Sequence, residues 1–156
     1  MSGASPWCVR AVLVLGASLG LAGRASAAIN CTISTTSVSF GSYDVFSGTP
    51  TDTTGTVTYR CTGNAGGISI TLSRGASTTF SPRTLISGGN TLTYNLFTDA
   101  ARTTIWGDGT GGTQTHSTSN PPNGQDIVVT IFGSITAGQD VPAGSYADTV
   151  TAIINF

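Results

Sequence analysis

The feature that most constrains the fold is an alternation of apolar and polar side chains over the last twelve residues, 145–156. The apolar residues that share one parity are Tyr146, Val150, Ala152, Ile154 and Phe156. A period of two predicts a β-strand with one buried face. Because an exposed apolar strand pairs readily with another chain, this strand is either the edge of a finished sheet or one side of a slot that lacks a strand.

Residues 1–27 have the organisation of a secretory signal peptide. Arg10 supplies a positive charge, an apolar run follows at 11–22, and small residues occupy 25–27. The apolar run is too short to cross a bilayer as a stable helix. We expect cleavage after Ala27 and export to a bacterial periplasm. The mature domain is then 28–156, with no membrane span.

The composition is poor in charge. Only 8% of the residues are charged, against about 25% in typical soluble domains, and the chain contains neither lysine nor glutamate. The near-neutral net charge and the lack of a basic patch argue against a nucleic-acid partner. The low charge fits two alternatives equally well, a surface that associates with other proteins and an ordinary threonine-rich sandwich surface.

The cysteines predict one disulfide. Cys8 is removed with the predicted signal peptide, which leaves Cys31 and Cys61 as an even pair in an oxidising compartment. Both lie in strand-like segments, so the bond would join the first two strands. Two thiols and the single histidine, His116, are too few for a metal site, and we predict no metal and no cofactor.

Alternating segments predict six or seven strands and no helix, because no segment keeps a 3.6-residue apolar period. We expect 56–61 and 68–72 to form a hairpin, and 125–133 to lie centrally because it is apolar almost throughout. The fold class is therefore all-β, an antiparallel immunoglobulin-like sandwich. The predicted strands are 29–40, 56–61, 68–72, 84–86, 91–97, 125–133 and 145–156.

The sequence offers no catalytic constellation, and we predict that the chain is not an enzyme. The Gly-x-Gly pattern within 106–112 lacks the following helix that a phosphate loop needs, which favours a structural turn. His116 lies in a predicted loop, 98–123, that is rich in Ser and Thr. A solvated loop histidine is a better interpretation than a member of a Ser–His–Asp relay.

Several motifs occur in an order that covers nearly the whole predicted mature chain. The most distinctive are the Trp-Gly-Asp-Gly run at 106–109 and the Gly-Ser-Tyr-Ala-Asp-Thr run at 144–149. Together the motifs resemble the spore coat protein U domain, a family that includes subunits of archaic chaperone–usher pili. The segments that carry the resemblance are 31–44, 55–61, 92–99, 105–112 and 132–150.

The resemblance implies an incomplete sandwich without its final strand. In such pilins a periplasmic chaperone lends a strand to the open groove, and a neighbouring subunit replaces it at the outer-membrane usher. The chain would then be a structural and adhesive subunit of a fibre at the cell surface. By position, the residues expected to wall the donor-strand groove are Ile33, Val38, Phe40, Val150, Ala152, Ile154 and Phe156.

One departure from that pattern affects the expected place in a fibre. A subunit that donates a strand needs an extension on the order of ten residues, whereas only 28–30 precede Cys31 after the predicted cleavage. This favours a distal, tip-like position or a secreted relative that does not polymerise. An alternative is a free-standing binding module that contacts carbohydrate or a surface through the 98–123 loop and Trp106. A secreted hydrolase is a third class, but it lacks a recognisable site.

Overall fold

A computed structural model describes residues 28–63 and 65–156, so the predicted signal peptide lies outside the described residues. The described part is built from eight β-strands and contains no helix, hence none that could span a membrane. The strands are β1 (Asn30–Thr35), β2 (Thr51–Thr62), β3 (Ile68–Leu72), β4 (Arg83–Ser87), β5 (Asn90–Phe97), β6 (His116–Thr118), β7 (Asp126–Ile135) and β8 (Ala152–Asn155).

The strands form two antiparallel sheets, which confirms the predicted fold class. The larger sheet has the order β1-β2-β7-β5-β4, and the smaller has the order β6-β3-β8. Strand β7 lies between β2 and β5, so its predicted central position is also confirmed. Its long pairing with β2 runs from Thr51 opposite Ile135 to Arg60 opposite Asp126.

Both sheets bury one face in a shared core. Val57 and Tyr59 of β2 and Ile70 of β3 are almost fully buried, as their alternation with polar neighbours predicts. The core also contains one tryptophan, Trp106, from outside the strands. The other core residues include Ile68, Leu72, Leu92, Tyr94, Leu96, Ile131 and Ile135.

The predicted hairpin of 56–61 with 68–72 is wrong. Strand β2 pairs with β1 and β7, whereas β3 pairs with β6 and β8. The consecutive strands β2 and β3 therefore lie in different sheets. Alternation specifies which side chains face the core, and in a sandwich two consecutive strands can face the same core from opposite sheets.

The first and last strands are shorter than predicted. Strand β1 ends at Thr35 and not near Phe40, and β8 begins only at Ala152. Upstream of β8 the chain is held by isolated backbone hydrogen bonds, in which Ala147 pairs with Ile86. The Asp148 carboxylate accepts the backbone N–H of its neighbour Thr149 at 2.7 Å. Such local side-chain bonds compete with a regular ladder, which explains why the strand is interrupted.

The predicted disulfide is present and joins β1 to β2. Cys31 and Cys61 are directly opposite each other in the β1–β2 ladder, with their Cα atoms 4.1 Å apart. The Cys61 side chain belongs to the core. The bond therefore holds the outermost strand of the larger sheet to its neighbour.

Candidate functional site: a groove at the side of the sandwich

A groove opens between the segments 35–46 and 141–152, which we call the first wall and the second wall and which are irregular apart from the last residue of β1 and the first of β8. It consists of two adjoining cavities of about 780 and 290 Å³. The cavities share Val38, Phe40, Leu85 and Asp148 among their lining residues. The floor is the sandwich core itself, formed by Leu72, Leu85, Leu92, Tyr94, Leu96, Ile131 and Ile135. The groove thus gives access from the surface to the core.

The first wall lies against two glycines of the larger sheet. A Cβ atom at Gly55 of β2 would come within 2.7 Å of the Val38 side chain. A Cβ atom at Gly133 of β7 would come within 2.8 Å of Val38 and 2.9 Å of Phe40. Both glycines share the inward parity of their strands. The missing side chains therefore provide the space in which Val38 and Phe40 sit.

Polar contacts hold the two ends of the first wall. At one end the Thr36 N–H donates to the Thr56 carbonyl at 2.9 Å. At the other end the Tyr43 hydroxyl donates to the Thr136 carbonyl at 3.1 Å and accepts the Gln139 N–H at 2.8 Å. Between these ends the Thr53 hydroxyl donates to the Ser39 carbonyl. The wall is anchored at separate points and not along a ladder.

Gln139 takes the place of a strand next to β5. Its Oε1 accepts the backbone N–H of Thr93 at 2.7 Å, and its Nε2 donates to the Thr93 carbonyl at 2.8 Å. Strand β7 pairs with β5 only as far as Tyr94, opposite Ile135. The Gln139 side-chain amide therefore makes, with the next residue of β5, the two hydrogen bonds that a backbone peptide group of a neighbouring strand would make.

The second wall is fixed by Asp148. Its Oδ2 accepts a 2.7 Å hydrogen bond from the Tyr94 hydroxyl, and its Oδ1 accepts the Ala76 N–H at 2.8 Å. Further along, Thr151 exchanges hydrogen bonds with Ser73 through both its N–H and its carbonyl. Burial, together with the bond to Asp148, raises the pKa of Tyr94, so this hydroxyl stays a donor at ordinary pH.

A fully buried arginine supports the same region. The Arg83 guanidinium donates to the carbonyls of Ser73 and Trp106 and to Oδ1 of Asn95, at distances of 2.7–3.1 Å. Its charge also lies 5.2 Å from the centre of the Phe80 ring. Burial lowers the pKa of Arg83, while the nearby Tyr94 and Asp148 act in the opposite direction. The guanidinium links β3, β4 and β5 behind the groove.

Backbone groups on both walls are left without partners. Within the described residues, the backbones of Val38, Phe40 and Val150 make no hydrogen bond. These residues flank the smaller cavity from its two sides. Unpaired backbone groups beside an apolar cleft are the components that an added β-strand requires.

The structure brings together part of the predicted set of groove residues. Val38 and Phe40 line both cavities, and Val150 and Ala152 line the smaller one. Ile33 and Ile154 are half-buried against the core but do not line the groove. Phe156 is 57% exposed and lies near Gly67 and Ser119, at the far end of the smaller sheet.

The sequence interpretation missed the polar residues of the groove. Asp148 lies in the Gly-Ser-Tyr-Ala-Asp-Thr motif, but its partner Tyr94 is 54 residues away. Tyr43 and Gln139 are likewise far apart in the chain. The motif at 144–149 was therefore a usable signal for Asp148, whereas nothing local indicated its partners.

Two expectations for the 98–123 segment are wrong. Trp106 has no exposed surface, and its Nε1–H donates to the Ile70 carbonyl at 2.9 Å, so it cannot contact a carbohydrate. His116 is not a solvated loop residue, since it begins β6 and packs half-buried against the rings of Tyr59 and Trp106. Burial lowers the pKa of His116.

The turn within this segment has the structural role that was predicted. Oδ1 of Asp108 accepts hydrogen bonds from both the N–H and the hydroxyl of Thr110. A Cβ atom at Gly107 would collide with the buried Thr113 side chain, so only glycine fits there. No helix follows in the described chain to complete a phosphate site.

The lining of the groove contains few titratable side chains. Its acidic lining residues are Asp44 and Asp148, and no histidine or cysteine lines it. In the part of the chain that the structure describes, no group of three or more His, Cys, Asp or Glu side chains could hold a metal ion. Apolar core residues form the floor of the site, whereas polar groups contribute much of its walls.

The fold has a counterpart among solved structures. It is similar to a chain in the crystal structure of the CsuC–CsuE chaperone–tip adhesion subunit pre-assembly complex, from the archaic chaperone–usher Csu pili of Acinetobacter baumannii. The TM-score is 0.58 with 22% sequence identity, over 83% of this chain and 40% of that chain. The likeness shows that the two chains share an all-β fold.

The family follows from the sequence match. The model of the Spore Coat Protein U domain matches residues 17–153, and the chain belongs to this family. Protein U of Myxococcus xanthus is 29% identical over 148 residues. That match spans 92% of this chain but 66% of the length of Protein U.

Proposed function

We propose that this chain is a structural, non-catalytic subunit of a surface fibre assembled by the chaperone–usher route. Its groove would receive a β-strand from a periplasmic chaperone and later a strand from a neighbouring subunit. The observation that carries the proposal is a groove whose floor is the apolar core, between walls with unpaired backbone groups at Val38, Phe40 and Val150.

Strand addition fits the chemistry of this groove. Main-chain hydrogen bonds to the walls would supply affinity, and alternate side chains of the donor would fill the two cavities. Half-buried groove residues such as Val38, Phe40, Val150 and Ala152 would then become fully buried. Each fully buried aliphatic or aromatic side chain contributes roughly 1.5–3 kcal/mol relative to an exposed one, so completion would stabilise the subunit considerably.

The comparisons support the kind of partner. The similar solved structure is a complex of a chaperone with a pilus subunit, and the family match covers most of the chain. We propose a periplasmic chaperone, an outer-membrane usher and neighbouring pilin-like subunits as the partners of this chain. The proposed route includes removal of 1–27 as a signal peptide, which leaves the domain 28–156.

We further propose a distal position in the fibre. After the predicted cleavage only Ala28 and Ile29 precede β1, because Asn30 and Cys31 are already paired with Thr62 and Cys61. Two residues are too few for a donor strand. The mature amino terminus, determined by mass spectrometry, tests this position, and a start well upstream of Ala28 would rule it out.

A charge placed in the groove tests the central proposal. Val150→Arg, co-expressed with a periplasmic chaperone of the archaic chaperone–usher class, should no longer co-purify with it, because the longer side chain would occupy the small cavity that a donor side chain has to fill. The matched control is Val128→Arg, since Val128 is 61% exposed on β7 and does not line the groove. Equal recovery of chaperone complexes from both variants would refute the groove assignment.

A further inference from the structure

The groove is closed at one end by its own strands. Cα atoms of β1 and β8 come within 8 Å of each other, yet the two strands share no ladder. A strand inserted between them and bonded to both would hold them roughly 9.5 Å apart. An added strand therefore does not fit between β1 and β8 as they stand, and the space for it begins beyond Thr35 and Ala152.

The two cavities differ in size along the groove. The smaller cavity, about 290 Å³, adjoins the closed end, where Thr35 and Ala152 line it. The larger, about 780 Å³, lies toward the other end, where Val45 and Val141 line it. The space available to inward side chains thus increases from the closed end to the open end.

The open end also exposes aromatic surface. Phe46 is 94% exposed, although it is held in a defined turn in which its N–H donates to Oδ1 of Asp44 at 2.9 Å. Tyr43 and Tyr146 line the same cavity and are half-buried. A bulky apolar side chain arriving here would pack against these rings, and a small one would leave much of the cavity unfilled.

We propose that the groove selects a donor strand whose inward side chains increase in size from the closed end to the open end. The inward residue next to Thr35 and Ala152 would be small, such as alanine. The inward residue next to Val45 and Val141 would be large, such as phenylalanine. This inference rests on the proposed function, because it specifies the strand that the proposed groove accepts.

Synthetic peptides of about nine residues provide the test, with threonine at outward positions and valine at central inward positions. Only the first and the last inward positions change. The four peptides, named by these two residues in chain order, are Ala/Phe, Phe/Ala, Ala/Ala and Phe/Phe. Because the direction of the donor strand is not specified, both mixed peptides are made. Their dissociation constants for the purified protein are measured by fluorescence anisotropy. The tighter mixed peptide should bind about tenfold more tightly than Phe/Phe, which overpacks the smaller cavity.

Two valines provide matched variants, because each lines one cavity only. Val150 lines the smaller cavity and Val141 the larger, and both are half-buried. Val150→Ala should enlarge the smaller cavity and restore binding of the Phe/Phe peptide to within a few-fold of the mixed peptide. Val141→Ala should not restore it. Retained binding of the mixed peptide shows in each case that the variant is folded.

The outcomes separate this inference from the proposed function. If Phe/Phe binds the original protein as tightly as the better mixed peptide, or if Val141→Ala restores it as well as Val150→Ala does, the size order is wrong while strand binding stands. If none of the four peptides binds, the groove does not accept a strand, and both proposals fail.

Discussion

The Tyr94 hydroxyl donates a 2.7 Å hydrogen bond to Oδ2 of Asp148 and thereby joins the floor of the groove to its second wall. Strand β5 supplies the donor, and the irregular segment before β8 supplies the acceptor. The carboxylate also accepts the N–H of Ala76, so a single side chain connects three parts of the chain.

Tyr94→Phe should destabilise the domain by about 1–2 kcal/mol, because it leaves a half-buried carboxylate oxygen without its donor. Urea denaturation measures the change in the free energy of unfolding. Tyr146→Phe is a matched control, since the Tyr146 hydroxyl donates to the exposed Pro142 carbonyl and contacts no charge. An equal loss in both variants would contradict a special role for the Tyr94–Asp148 bond.

Arg83→Lys should destabilise the domain by about 3 kcal/mol or more. Lysine has no planar fork of donors, so buried acceptors among Ser73, Asn95 and Trp106 would lose their partners. Thermal and urea denaturation provide the measurement. Arg60→Lys is the control, because Arg60 forms only an exposed ion pair with Asp126 and should change stability little.

Gly55→Ala should destabilise the domain by about 1–3 kcal/mol, because its Cβ would lie 2.7 Å from the Val38 side chain. Truncating that side chain in Gly55→Ala/Val38→Ala should recover part of the loss, and a double-mutant cycle measures this coupling. Gly48→Ala is the control, since no atom lies within 4 Å of the added Cβ. If the effects of Gly55→Ala and Val38→Ala on stability are strictly additive, the first wall does not pack on β2 as described.

The Cys31→Ala/Cys61→Ala variant should be less stable by about 3.6 kcal/mol in the chain-entropy model for a separation of 30 residues. This is a large part of the 5–15 kcal/mol that holds a typical domain together. The original protein treated with a reducing agent should lose the same amount. A reduced protein as stable as the oxidised one would argue against a stabilising role for the bond.

The stability of the domain should decrease as the pH falls below about 6.5, the ordinary pKa of histidine. Burial lowers the pKa of His116 in the folded state. The unfolded chain therefore binds the proton more tightly, and this binding stabilises the unfolded state relative to the folded one. The decrease should level off below the lowered pKa. His116→Gln should remove this component, and His116 is the only histidine in the chain. Urea midpoints between pH 7.5 and 5 that shift equally in both proteins would contradict the assignment.

Much of the fold was accessible from the alternation of side chains, because burial on one face follows directly from a period of two. Which strands are neighbours was not accessible. The burial pattern of β2 and β3 is the same whether they share a sheet or face each other across the core. The hairpin prediction failed for this reason.

The groove was predictable in part, and its limits have a physical cause. Val38 and Phe40 leave the ladder because glycines on two other strands make room for them, and no local pattern near residue 38 reports this. Arg83 was not singled out from the sequence, since nothing in the local pattern distinguishes it from the arginines that are usually exposed. Its burial depends on carbonyls from Ser73 and Trp106 that only the folded chain brings together.

The position of the Cys31–Cys61 bond bears on the order of events during maturation. Both sulfur atoms belong to adjacent strands of one sheet, and neither cysteine lines the groove. The bond therefore lies outside the surface that the proposed donor strand would occupy, and it leaves the groove open. In the proposed route, a chain that already carries this bond would meet its first partner with the register of β1 on β2 locked covalently, and only non-covalent steps would remain.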